Sequence, residues 1–250
     1  MEIEMKKIIL CLVVFPIVFN VAVADMVDMP STDPLLPPMK RKQMETGKVT
    51  HVNKDELPEE MKKFPNERAI GEKENGYEAT PEEFFIASAG YRNYLQQESN
   101  LKPKIAVALA DIGGTELKHY VYEGIIPEGP TLGGPYTKVT RVFMREDGIV
   151  VMLTEWDYIA DGGAIMTVKE LMNVKVNNVP GIIMIKKSPS GKTMTDLHWS
   201  TNKKDFNISV WENVDKKHKG KEYDRKWLLN LAETLRPPSQ GEQSDGEKPP

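Results

Sequence analysis

Asp111-Ile112-Gly113-Gly114-Thr115 is the stretch whose residue types come closest to chemistry. Paired glycines admit backbone amides to a phosphate, and a neighbouring aspartate can handle magnesium. A phosphate-transferring fold built on such a loop needs two large lobes with helices interleaved among strands. Beyond Thr115 the chain runs as a succession of short alternating strands, so the five residues read as a β-hairpin turn whose glycines supply positive φ. Ser188-Pro189-Ser190-Gly191-Lys192-Thr193 imitates the end of a phosphate-binding P-loop. That pattern requires glycine at 186, where the chain has Lys186, and a helix after the threonine, where the chain alternates as a strand. It too reads as a hairpin turn. Neither stretch gives a cofactor-binding residue.

Metal and proton-transfer chemistry find no better spacing. The four histidines, His51, His119, His198 and His218, are widely separated, and none stands at i, i+4 from another. His119 and His198 fall in predicted strands and could meet across a sheet. Glu155, Asp157 and Asp161 gather in Thr154 to Gly163, which reads as a solvated strand end and turn. The chain thus offers no assigned catalytic residue and no metal ligand, and the expectation is a protein that is not an enzyme. Trp156, Tyr158, Trp199 and Trp211 are the candidates for an exposed binding face, while Trp227 is expected to pack a terminal helix onto a sheet. An apolar groove between sheet and helix would suit a peptide or an acyl chain.

The ends of the chain set the context for those side chains. From Met5 the sequence runs Met-Lys-Lys, an apolar stretch from Ile8 to Phe19, then Ala22-Val23-Ala24, the pattern of a secretory signal cleaved between Ala24 and Asp25. Pro16 and Asn20 interrupt a run already short of a membrane span, so no transmembrane helix is expected in the mature chain. Cys11 is the only cysteine and would leave with residues 1–24, excluding disulfides and thiolate catalysis. Formal net charge is -4, with basic residues dispersed, which argues against nucleic acid; export argues against a nucleotide. Residues 25–76 are rich in proline and charge and read as a disordered or loosely structured tether, in which Leu57 to Phe64 forms at most a turn or two of helix. Residues 237–250 read as a disordered tail.

Between these lies a predicted domain over 77–236. Thr80-Pro81-Glu82-Glu83 is a helix start, with Thr80 as N-cap and Glu83 reaching back, and Phe84, Ala87, Tyr91 and Leu95 extend one apolar stripe to about Glu98. From Lys104 the period becomes two: Ile105, Val107 and Leu109 alternate, then Leu117 to Tyr122. Further strands are predicted at 136–145, 148–158, 172–176, 181–187, 194–200 and 206–212, joined by turns that make neighbours antiparallel. Asp224 caps a closing helix with Trp227, Leu228, Leu231, Ala232 and Leu235 on one face. The fold class is α+β: a single antiparallel, curved β-meander packed by a C-terminal amphipathic helix, with another helix near residues 80–98.

Val174 to Leu235 also carries a resemblance. The strand-turn-strand at Val174 to Ile185, the Leu197-x-Trp199 strand, the apolar strand Phe206 to Val210 and the Leu228 to Leu235 helix resemble the C-terminal part of a bacterial exported domain of unknown function. That sheet-plus-helix module is found near anti-sigma regulators and outer-membrane lipoprotein-sorting-type proteins. It offers no catalytic residue to carry over, and implies binding or sensing outside the cytoplasm. The expectation is an exported, periplasmic or extracellular, non-enzymatic binding, sensing or interaction module of the bacterial cell envelope, its partner an envelope protein, a peptide or an acyl chain. The alternatives are a lipid or lipoprotein carrier using the groove between sheet and helix, and an envelope enzyme working through His119, His198 and the Glu155 to Asp161 acids.

Overall fold

Two hairpin runs, each with its own turn chemistry, build the sheet that dominates the protein. The structure, a computed structural model, describes residues 47–128, 134–216 and 223–237. The expected leader 1–24 with its Ala24–Asp25 junction, the first part of the expected tether, His218 and the tail beyond Pro237 lie outside the described residues. In chain order the elements are β1 (Val49–Val52), α1 (Glu59–Asn75), β2 (Glu78–Ala79), α2 (Glu82–Ala89), α3 (Glu98–Leu101), β3 (Val121–Glu128), β4 (Lys138–Met144), β5 (Val150–Trp156), β6 (Ile165–Val168), β7 (Val174–Val176), β8 (Val179–Lys187), β9 (Thr193–Ser200), β10 (Asp205–Val210) and α4 (Arg225–Glu233).

The fold is α+β, as expected. The main sheet runs β2-β8-β9-β10-β5-β4-β3, with β7 also paired to β8, and every pairing is antiparallel except β2 with β8. Strands consecutive in sequence pair as antiparallel neighbours in β3–β4–β5 and again in β7–β8–β9–β10; between β7 and β8, Asn177 (φ 47) and Asn178 (φ 68) form a two-residue link of the kind hairpins favour. The two runs join along β5 and β10, from Trp156 opposite Asp205 to Val151 opposite Val210. The sequence predicts a single meander; the structure has two, zipped through strands distant in sequence. β1 and β6 form a separate parallel pair.

Residues opposite one another share a face, and the two faces differ chemically. One carries Phe143, Val151, Leu153, Ile208, Val210, Leu197 and Ile183, and against it α4 lays Trp227, Leu228, Leu231 and Ala232, all buried. Asp224 caps α4 by accepting from the Trp227 N–H at 2.9 Å, as the sequence predicts. At roughly 1.5–3 kcal/mol for each large apolar side chain buried, this face carries the largest single share of the hydrophobic stabilisation among the described residues. The opposite face carries Thr140, Thr154, Asn207 and His198 side by side across four strands. Onto it pack α1, α2 and the β1–β6 pair.

Several expectations are corrected. Residues 49–75, placed in the tether, form β1 and the 17-residue α1. They dock because Val52, Leu57 and Met61 join Val168, Leu171 and Ile182 in one apolar cluster. The helix near residues 80–98 is broken: α2 ends at Ala89, a 3-10 turn follows from Gly90 to Tyr94, and Gln96 is extended, exchanging both backbone hydrogen bonds with Ile125 of β3. Covering the edge of β3 wins over continuing the apolar stripe. Gly124 permits that approach, with φ 142 and a hypothetical Cβ only 2.7 Å from the Gln96 carbonyl. Thr80 does not cap α2; its hydroxyl donates to the Glu78 carbonyl at 3.3 Å and the cap position is Pro81.

The predicted strand over Ile105 to Leu109 is an irregular segment, and Asp111 to Thr115 is not a hairpin turn. Gly113 N–H donates to Asp111 Oδ1 at 2.7 Å, and Thr115 Oγ1 accepts from Leu117 N–H at 3.1 Å to start a 3-10 turn over Glu116–His119. Neither glycine has positive φ. Their role is space: a Cβ on Gly114 would stand 3.2 Å from Arg236 Nε, and one on Gly113 would stand 3.0 Å from Asp111 Oδ1.

Candidate functional site

The groups singled out for proton transfer are not brought together. His119 lies exposed on the 3-10 turn, whereas His198 is buried in β9 on the face away from α4. His198 Nε2 meets Asp205 Oδ1 at 2.7 Å, and Ser200 donates its hydroxyl to that same oxygen at 2.5 Å. Serine, histidine and aspartate are therefore adjacent, but the hydroxyl points to the carboxylate rather than to the imidazole, so no base activates it.

Glu155, read as solvated, is wholly buried and held by Arg141 and Lys204. Its burial is tolerable because both oxygens are hydrogen-bonded to cations. Asp161 accepts from Trp156 Nε1 at 2.6 Å and Thr137 Oγ1 at 3.0 Å, and Asp157 accepts from the Ala160 N–H at 2.9 Å. These acids fix a strand end and its turn.

The predicted aromatic face divides in the same way. Trp156, Tyr158 and Trp199 are buried: Tyr158 donates to the Thr201 carbonyl at 2.8 Å, and Trp199 stacks on Phe206 at 4.9 Å beside α4. Trp211 alone of the four is half-buried. It follows β10 on the face opposite α4, and Tyr91 holds it edge-to-face at 5.5 Å. The Tyr91 hydroxyl donates to Glu123 Oε2 at 2.7 Å; burial, then Glu123, push its pKa up to about 12, so it stays a donor.

Trp211 borders a half-open cleft of about 540 Å³, with Phe85 and Ala89 of α2 on one side and Gly191 and Lys192 of the β8–β9 turn and Thr193 of β9 on another. The space beneath α4, where the sequence predicts a groove, is instead filled by Trp227, Leu228, Leu231 and Ala232 against the sheet. Phe85 and Ala89 escape a sequence reading because the stripe through Phe84 and Ala87 points to another side of the helix. Phe85 is the residue α2 buries.

The turn at the cleft rim is the P-loop imitation, and it is a hairpin turn, as the sequence predicts. Gly191 adopts φ 89, its N–H donating to the Ser188 carbonyl at 3.0 Å, while Lys192 N–H donates to Ser188 Oγ at 3.1 Å. Across from it stands Glu82 at the start of α2. Glu82 Oε1 accepts from Ser190 Oγ at 2.9 Å and Lys192 Nζ at 2.7 Å, and Oε2 accepts from the Ser190 N–H at 3.3 Å. Lys192 first, then the serine hydroxyls, hold the Glu82 carboxyl down at about 2. This clasp joins two walls of the cleft. Spacing alone does not reveal it, since its partners stand far apart in sequence.

A second polar group stiffens the sheet behind the cleft. Lys186 Nζ and Asp196 Oδ2 lie 2.6 Å apart, both buried, and Ser209 donates to Asp196 Oδ1 at 2.5 Å. Arg68 of α1, 3 % exposed, stands 3.8 Å from Glu72 and 3.9 Å from Glu78. Burial pulls the Arg68 guanidinium below its ordinary value and pushes Glu78 above its own. Among the described residues no helix is long and apolar enough to cross a membrane. No family model, curated protein or solved structure matches the chain.

Proposed function

We propose that the protein is a non-enzymatic binding module of the bacterial cell envelope, working outside the cytoplasm. The single observation that carries the binding reading is the half-open cleft in which Phe85, Ala89 and the tyrosine-held Trp211 form apolar walls. Concave, apolar sites with a few polar groups at the rim are the usual form of a small-ligand pocket. Engagement of His198, Glu155, Asp157 and Asp161 in structural contacts favours binding over bond-making. The placement outside the cytoplasm rests on the leader-like Met5 to Ala24 and on the resemblance over Val174 to Leu235. A carrier would use this cleft and not the filled space under α4.

Incorporation of 5-fluorotryptophan tests the reading, since each of the four tryptophans then gives its own fluorine resonance. The Trp211 signal is identified by its loss in Trp211→Phe. Medium-chain amphiphiles and short apolar peptides are expected to shift it saturably while leaving the buried Trp199 unmoved. No saturable shift across the panel at roughly 1 mM, the weak end of specific affinity, overturns the proposal.

A further inference from the structure

The Ser188–Lys192 turn presents three donors, the Ser190 N–H, the Ser190 hydroxyl and Lys192 Nζ, to one carboxylate that belongs to the chain itself. The turn that carries these donors is built without help from that carboxylate. Gly191 sets the turn by its positive φ, Ser188 Oγ and Ser190 Oγ lie 2.9 Å apart, and the Lys192 N–H is fixed on Ser188 Oγ. Backbone and side-chain donors gathered on a turn are a receptor for an anionic oxygen group. We propose that this turn is a carboxylate receptor filled in cis by Glu82, and that the adjoining cleft takes a carboxylate-headed amphiphile, a fatty-acid-like chain whose head displaces Glu82.

The proposal rests on the cleft being a binding site and adds the chemistry of the ligand. Gly191 and Lys192 belong both to the receptor and to the cleft wall, so a head group on the turn leaves its chain against Phe85, Ala89 and Trp211. The charges suit an anion. The acid that lines the cleft, Glu212, is paired with Arg145 at 2.5 Å, while Lys192 and the exposed Lys216 stand at the rim. Glu82 is half-buried, so its displaced carboxylate returns to water. Glu82 is tethered beside its receptor and competes at a high effective concentration. It therefore acts as an internal competitor that lowers apparent affinity until a ligand supplies both head and chain.

The test monitors the Trp211 fluorine resonance during titration with decanoate, its uncharged counterpart decanol, acetate, and a short apolar peptide with a free C-terminus. The expected result is saturable binding of decanoate, weaker binding of decanol, and none of acetate. In Glu82→Gln and Glu82→Ala, decanoate should bind about tenfold more tightly, because the competing closed state is removed, with decanol little changed. Lys192→Met should reduce decanoate binding towards that of decanol. Thermal melts of each variant confirm that the fold is retained. Equal binding of decanoate and decanol, with no effect of Glu82 or Lys192, overturns the receptor while leaving the cleft a binding site. Binding of the peptide but not decanoate overturns the fatty-acid-like occupant, and no shift with any probe overturns both readings.

Discussion

Arg141 Nη2 stands 2.6 Å from Glu155 Oε2, joining adjacent strands on the face that α4 packs against, and Glu155 is wholly buried there. The same carboxylate accepts from the Ala110 N–H at 2.7 Å and from Lys204 Nζ at 2.8 Å. Arg141 Nη2 also donates to the Ala110 carbonyl at 2.8 Å, and Lys204 Nζ donates to that of Ala108. The irregular segment around Ala110 thus finds in side chains the partners a strand would take from a neighbouring strand. Glu155→Ala leaves two cations without their anion and is expected to destabilise by about 3–5 kcal/mol, measured by urea denaturation. A loss under about 1 kcal/mol would contradict the role given to Glu155.

Arg145 ties α4 to the end of β4. Its guanidinium donates to Asp147 at 2.9 and 2.8 Å, meets Glu212 at 2.5 Å, and lies 3.5 Å from the centre of the Tyr223 ring. Lysine cannot reproduce the planar fork or the stacking. Arg145→Lys should cost about 2 kcal/mol or more, and increased hydrogen exchange in α4 should accompany the loss. Unchanged exchange in α4 would count against this anchoring role.

Glycine substitutions should rank by what surrounds them. A Cβ at Gly181 would stand 2.9 Å from the His198 carbonyl oxygen and 3.3 Å from Trp199 Cβ, inside a strand pair that cannot yield easily. Gly181→Ala is expected to cost about 1–3 kcal/mol. Gly114→Ala should cost less, because the Arg236 guanidinium it meets at 3.2 Å is a movable side chain. Chemical denaturation of the two variants decides the order, and the reverse order would refute the explanation.

His51 gives the β1–β6 pair a pH dependence. Its Nδ1 lies 2.6 Å from Thr167 Oγ1, and burial, then Lys169, hold its pKa below the ordinary histidine value. The unfolded chain therefore binds a proton at higher pH than the folded one. The contribution of His51 is complete above about 6.5, the unfolded value, and is lost as pH falls from there through the lowered folded value. Protection of the β1 amides, taken relative to the intrinsic exchange rate at each pH, should fall over that window. His51→Gln should flatten the response, and an unflattened response would assign it to another group.

Legibility tracks the range of the interactions. Turn residues such as Asn177-Asn178, the Asp224 cap and the strand periodicity are local, and the strands over 138–210 stand close to where the sequence places them. β6 escapes a sequence reading because its four residues lie between glycine-rich and charged segments, and β1 because its partner is remote in sequence. The two glycines of Asp111 to Thr115 do mark a close approach, but what they accommodate is Arg236 and the Asp111 side chain. Of the candidate site, Trp211 is legible as an aromatic on a strand end. The Glu82 clasp depends on α2 and the β8–β9 turn meeting in space, which residue types cannot state.

The seam between β5 and β10 is also expected to govern the order in which the chain folds. Each run pairs strands that are neighbours in sequence, but the face that α4 covers is completed only when Leu153 lies beside Ile208 and α4 settles over both. Closing that seam encloses everything from β6 to β9, so its entropy must be met before the rewarding contacts exist. The join rather than either hairpin run is thus the expected folding nucleus. Nascent chain released before α4 would hold two half-sheets with one greasy side each, the state in which such a protein is most exposed to aggregation.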